Sequence, residues 1–225
     1  QVWGAALAAG ARVHQQIGDG EEAQTRTLMA AEKLVEVFRD KSGEVNCHEI
    51  TSIDKDSTSM DMVKYFLLKG GSIGCFRMAS HFAPLAYDAI EDSLATEVIN
   101  IPSTPMSCTA LLAKQTGASE KHQTMSAGLA GGIGLSGEAC GALGTTVWIK
   151  AMQLKRDNPE LDLWKDENFG AWFEATVETF LAASDYEFEC ADIVGRKFEN
   201  IADHSEYLQQ GGCSRIIEAL SATVK

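Results

Sequence analysis

The chain has 225 residues, 45% of them apolar, which is enough for one large cored domain or two small ones. Its formal charge of −13 and pI of about 4.8 argue against nucleic acid and anionic membranes as partners and suit a basic protein partner. No run of eighteen apolar residues exists, and the apolar start "QVWGAALAAGARV" lacks a basic flank, so neither a membrane span nor a signal peptide is expected and the protein is placed in the cytoplasm; Gln1 in place of Met leaves export of a longer precursor open.

Alanine, leucine, glutamate and methionine are plentiful and proline is scarce, a mixture that favours helix over sheet. In chain order the pattern predicts helices over 2–17 and 21–41, the second carried by Leu28, Ala31, Val35 and Phe38 at helical spacing. Helices over 58–70 and 74–93 come next. The best strand candidate, "TEVINI" at 96–101, reads equally as an extended linker. Further helices are predicted over 105–116, 119–130 and 137–156, the last carried by Val147, Ala151 and Leu154. Three more cover 167–184, 203–210 and 213–223, with Phe169, Phe173, Val177 and Phe180 repeating along the first of them. The expected fold is all-α, a multi-helix bundle.

The chain also repeats itself. "FRDKSGEVNCHEITSID" from Phe38 and "FLAASDYEFECADIVGRKF" from Phe180 each give a helix end, an acidic turn and a cysteine. "YFLLKGGSIGCFRMASHF" from Tyr65 and "YLQQGGCSRIIEAL" from Tyr207 each give a helix, Gly-Gly, a cysteine and another helix. This pairs Cys47 with Cys190 and Cys75 with Cys213, and Gly4 with Gly144. The expected organisation is an incomplete first helical unit over 1–93 and a full second unit over 103–225, joined by 94–104.

Six cysteines are present: Cys47, Cys75, Cys108, Cys140, Cys190 and Cys213. None forms CxxC, and no CxxCH c-type haem attachment motif exists. Cys75, Cys140 and Cys213 each come after glycines and open a helix, and Cys108 lies just inside a start marked by Pro105. Helix starts offer unpaired N–H groups and a partial positive charge, which favour thiolate, the form that ligates metal and attacks disulfides. Buried free thiols used for close helix packing are the plainer alternative.

The stretch "GGIGLSGEACGALG", Gly131 to Gly144, contains a literal GxGxxG in Gly132, Gly134 and Gly137. A dinucleotide fingerprint needs a strand before it, whereas "KHQTMSAGLA" reads as helix, and Asp157 comes after a helix end where a second strand would be required. The glycines Gly131, Gly132, Gly134, Gly137 and Gly141 are instead expected to support the thiol at Cys140. Glu138 reads as an acid in a helix's first turn. His48 and His122 read as solvated or capping rather than ligating, and no Ser-His-Asp, HExxH or P-loop pattern occurs. Nothing in the sequence singles out an enzymatic reaction.

These residues resemble the C_GCAxxG_C_C family of redox-active proteins, named for its four cysteines and its CGAxxG motif. The resemblance implies Cys108 as the first cysteine, Cys140-Gly141-Ala142 as the motif, and Cys190 and Cys213 as the last two. Cys47 and Cys75 match the last two cysteines of the other unit. One departure is visible: the glycine expected five residues after the motif cysteine is Thr145, and Gly144 comes one place early. The family is similar to the iron–sulfur part of split-Soret cytochromes. The resemblance implies redox function without fixing a reaction; the leading expectation is electron transfer through an iron–sulfur cluster on Cys108, Cys140, Cys190 and Cys213, with Cys47 and Cys75 able to serve a second one. A dithiol/disulfide redox protein, a zinc-stabilised fold and a helical interaction module are the alternatives. A redox partner protein, and a homo-oligomer, are the expected partners.

Overall fold

The computed structural model describes residues 1–53, 57–68, 70–96 and 106–224. The fold is all-α, and among the described residues the only β pairing is an isolated antiparallel bridge between Ala139 and Glu189. The helices are α1 (Val2–Ile17), α2 (Glu21–Ser42), α3 (Cys47–Thr51), α4 (Ser59–Val63) running into a π-helical turn (Lys64–Leu68), α5 (Gly71–Ala95), α6 (Cys108–Gln115), and α7 (Glu120–Ser126) with a 3-10 turn (Ala127–Leu129). Then come α8 (Gly141–Asp157), α9 (Glu167–Ala183), α10 (Cys190–Val194), α11 (Ile201–Gln209) and α12 (Ser214–Val224). None of these is long and apolar enough to cross a membrane.

Local chemistry sets the starts. Ser107, Ser119, Asp166 and Asn200 each accept a backbone N–H of the next turn and so cap α6, α7, α9 and α11. Thr58 and Asp61 form a reciprocal capping box on α4. The candidate strand or linker at 96–101 lies outside the described residues except for Thr96, which ends α5; Pro102 and Pro105 lie outside them too.

Two large apolar clusters, beside a small third one of Ala113, Ile149 and Val224, make the core of the described residues, and each of the two reaches across the middle of the chain. One gathers Val2, Ala6, Ala9, Leu34, Phe38, Phe82 and Ile90 from α1, α2 and α5, and takes in Leu129 and Ile133. The other gathers Met106, Leu112, Leu143, Phe180, Ile217 and Leu220, and takes in Leu28 from α2. The segment 129–133 is therefore wedged between α2 and the second-half helices. Trp3 of α1 lies where a side chain on Gly144 would have to go, so the glycine that departs from the family motif provides the seat for that ring.

Glu32, on α2, is pushed up to about 7 by burial and secondarily by Glu36. An unfolded Glu releases its proton near 4.3, so the folded chain binds the proton more tightly. Stability from this group is full below that value and is lost as pH rises toward 7. Glu32→Gln is expected to stabilise the protein at pH 8 by about 1–2 kcal/mol and to have little effect at pH 4, measured by urea unfolding at both.

Candidate functional site

The glycine-rich stretch is a tight left-handed loop. From Gly131 to Leu135 every φ is positive, at 63, 79, 68, 54 and 56°. Glycine adopts this region freely, whereas an L side chain costs about 1–2 kcal/mol there, so Ile133 and Leu135 are strained. Burial holds them in place: Ile133 enters the first core cluster and Leu135 the second. The Gly134 amide donates to the Gly128 carbonyl at 2.9 Å, Leu135 to Ala130 at 3.2 Å and Gly137 to Gly131 at 2.9 Å. A side chain on Gly134 would strike the Ala31 backbone, and one on Gly132 the Glu138 backbone.

This loop delivers two thiols. The Gly131 amide donates to the Cys108 sulfur, and the chain leaving the loop pairs with the segment before α10. There the Cys140 amide donates to the Phe188 carbonyl at 3.1 Å, and the Cys190 amide to the Glu138 carbonyl at 2.8 Å. Cys140 and Cys190 thus flank the Ala139–Glu189 bridge. Cys140 caps α8, Cys108 is the first residue of α6, Cys190 the first of α10, and Cys213, with φ 61°, immediately precedes α12. Cys108, Cys140 and Cys190 share one buried cluster, and Cys213 packs against it.

Four separate helix starts therefore bring four sulfurs into one neighbourhood. Two expectations are corrected by this geometry. The helix after the loop begins at Gly141 rather than 137, because the left-handed run cannot continue into a right-handed helix; Glu138 therefore lies outside its first turn. The thiolate expectation also changes sign. Burial pushes Cys108 well up, reinforced by the charges of Cys213, Cys190 and Cys140. Burial raises Cys140 as well, outweighing the Ala142 and Leu143 amides aimed at its sulfur. Cys190 is raised by burial and then by Cys140 and Cys213. Cys213 is pushed up to about 11 by burial and Cys140, against a hydrogen bond from Tyr207. Desolvation exceeds the helix-start effect, so each thiol keeps its proton at neutral pH unless positive charge replaces it.

Glu138 sits at the junction of the halves. Its carboxylate accepts the Asn46 amide at 2.6 Å and pairs with Arg39 at 3.5 Å. Glu189, beside Cys190, has one carboxylate oxygen buried without a protein partner, and its carboxyl is raised by burial and then by Glu138 and Asp192. His122 meets the Ser119 hydroxyl at 3.1 Å and the edge of Trp148 at 5.4 Å, away from the thiols. Asp157 ends α8 and pairs with Arg156.

Cys47 is exposed and Cys75 half-buried, apart from the other four. Cys47 opens α3, and Cys75 lies one turn inside α5, not at its start. Sequence reasoning overlooked the tyrosines. The Tyr65 hydroxyl lies 3.8 Å from the Cys75 sulfur and its ring covers Gly71, while Tyr207 hydrogen-bonds Cys213 and its ring covers Gly212. Among the described residues, no three His, Cys, Asp or Glu side chains surround a common point as metal ligands do. All six cysteines are free thiols.

The model of a family described as "Putative redox-active protein (C_GCAxxG_C_C)" matches residues 105–225. No curated protein and no solved structure matches the chain.

Proposed function

From the premise that this chain belongs to the C_GCAxxG_C_C family of redox-active proteins, we propose that it transfers electrons through an iron–sulfur cluster held by Cys108, Cys140, Cys190 and Cys213. The observation that carries the reading is the convergence of these four sulfurs, from four helix starts, on one buried cluster. The donor set suits the group. Iron–sulfur clusters commonly take four cysteine sulfurs, and amides aimed at sulfur tune their potential; Gly131, Ala142 and Leu143 supply such amides here. Because the thiols are protonated when buried alone, a cation must displace their protons, and the side chains must turn from packing against one another toward a shared centre. Bound there, the cluster would supply one-electron chemistry. The chain's part is to hold the ligands on a strained, rigid loop and to keep water out with Leu135, Phe180 and Phe198.

We extend the proposal to a related first unit over 1–93, beside the full unit over 103–225. In support, α3 and α10 are both five-residue helices opened by a cysteine, and the Tyr65–Gly71–Cys75 contacts match Tyr207–Gly212–Cys213. The net charge of −13 suits a redox partner with a basic face, and six free thiols suit a reducing compartment such as the cytoplasm.

Protein purified without oxygen should be coloured, contain iron and acid-labile sulfide, and bleach on reduction. A colourless, iron-free protein would overturn the cluster. One observation favours a second reading: Cys140 and Cys190 lie on paired segments flanking a β bridge, a placement suited to a reversible disulfide. That reading expects the same colourless protein to lose two thiols reversibly on oxidation.

A further inference from the structure

The outer face of α5 is apolar in a way that the outer face of α12 is not. Helix α12 turns Ser214, Arg215 and Glu218 to solvent. Helix α5 buries Phe82, Ala86, Ala89 and Ile90 inward and also exposes Ile73, Phe76, Ala83, Pro84 and Tyr87 outward. The outward set recurs at helical spacing and forms one stripe along the helix. Ile73 is 66% exposed, Phe76 78% and Tyr87 61%. A helix apolar on opposite faces is normally covered on both.

We infer that α5 is the seam of a homodimer, packed antiparallel against α5 of a second copy. The stripe is self-complementary. Its centre is small, Ser80 and Ala83, and aromatics flank that centre, Phe76 four residues before and Tyr87 four residues after, with Ile73 lying beyond Phe76. Reversed, the order is still large, small, small, large. Two copies related by a two-fold axis therefore set Phe76 of one against Tyr87 of the partner subunit, with the backbones closest at Ser80 and Ala83.

Charge fits to within two residues of this register, about 3 Å along the helix. Arg77 and Asp88 flank the stripe on one side, both exposed, and the antiparallel arrangement sets each against its opposite in the other copy. The approach to the stripe is less acidic than the chain as a whole: between Ser57 and Tyr87 the sequence has one acid, Asp61, against Lys64, Lys69 and Arg77, and Asp88 follows at the far end. Leu67 and Leu68, in the turn leading to α5, are also apolar and 76% and 80% exposed, adding to the apolar surface available to an interface, which takes about 800 Å² from each partner at standard size.

Sedimentation of the full chain at micromolar concentration should give twice the 24.3 kDa chain mass. Ala83→Arg, at an exposed position, should give a monomer with unchanged helical circular dichroism. Arg77→Asp and Asp88→Arg should each weaken the dimer about tenfold and together restore it, since opposite charges then face each other again. A wild-type monomer, whether another segment or another protein covers the stripe, would overturn the inference. So would an Ala83→Arg dimer as tight as wild type, or a double reversal that recovers nothing.

Discussion

Replacing Cys140 by serine is expected to abolish the visible chromophore and more than about nine-tenths of the bound iron, and Cys108→Ser, Cys190→Ser and Cys213→Ser should each do the same. Cys47→Ser should leave both within measurement error. The asymmetry comes from placement: the four sulfurs share one buried neighbourhood, whereas Cys47 is exposed and apart. A hydroxyl is close to a thiol in size but a poor substitute for a thiolate ligand to iron, so loss of the cluster should come without loss of helix. Far-UV circular dichroism on each variant separates the two. If Cys47→Ser and Cys140→Ser lost iron equally, the assignment of ligands to the second half would be wrong.

The second large effect concerns glycine. Gly134→Ala is expected to destabilise the fold by more than about 3 kcal/mol, because its left-handed backbone disfavours any side chain and the added carbon strikes the Ala31 backbone. Gly141→Ala should cost as much, since its added carbon meets the Leu129 carbonyl oxygen, which is held in the wedge between the two cores. Gly170→Ala, inside α9 with open space around it, is the control and should stabilise by about 0.5–1 kcal/mol. Chemical denaturation of the three variants reads these differences directly. Equal effects at Gly134 and Gly170 would mean that the loop is not the rigid element described.

Long helices were legible where a period could be counted. The Phe169–Phe180 pattern marks α9 to within a residue, and Leu28–Phe38 marks α2. Helices α3 and α10 were not, because five residues hold no period. The start of α8 was misplaced for a specific reason: five consecutive left-handed residues, two of them not glycine, leave no signal beyond glycine richness. The helix-start settings of Cys108, Cys140 and Cys190 could be read from the sequence, whereas the burial that raises these thiols could not. Tyr65 and Tyr207 were in plain view, each heading the stretch that carries its cysteine. Their role needed the contact with Gly71 and Gly212 to become visible.

If the four sulfurs form one redox site, the intact native mass of protein kept free of oxygen shows it most directly. That mass should exceed the chain mass by one iron–sulfur cluster per Cys108–Cys140–Cys190–Cys213 set, and acid should remove the excess and expose all four thiols together. A native mass equal to the bare chain, with all four thiols present and none lost on oxidation, would contradict it.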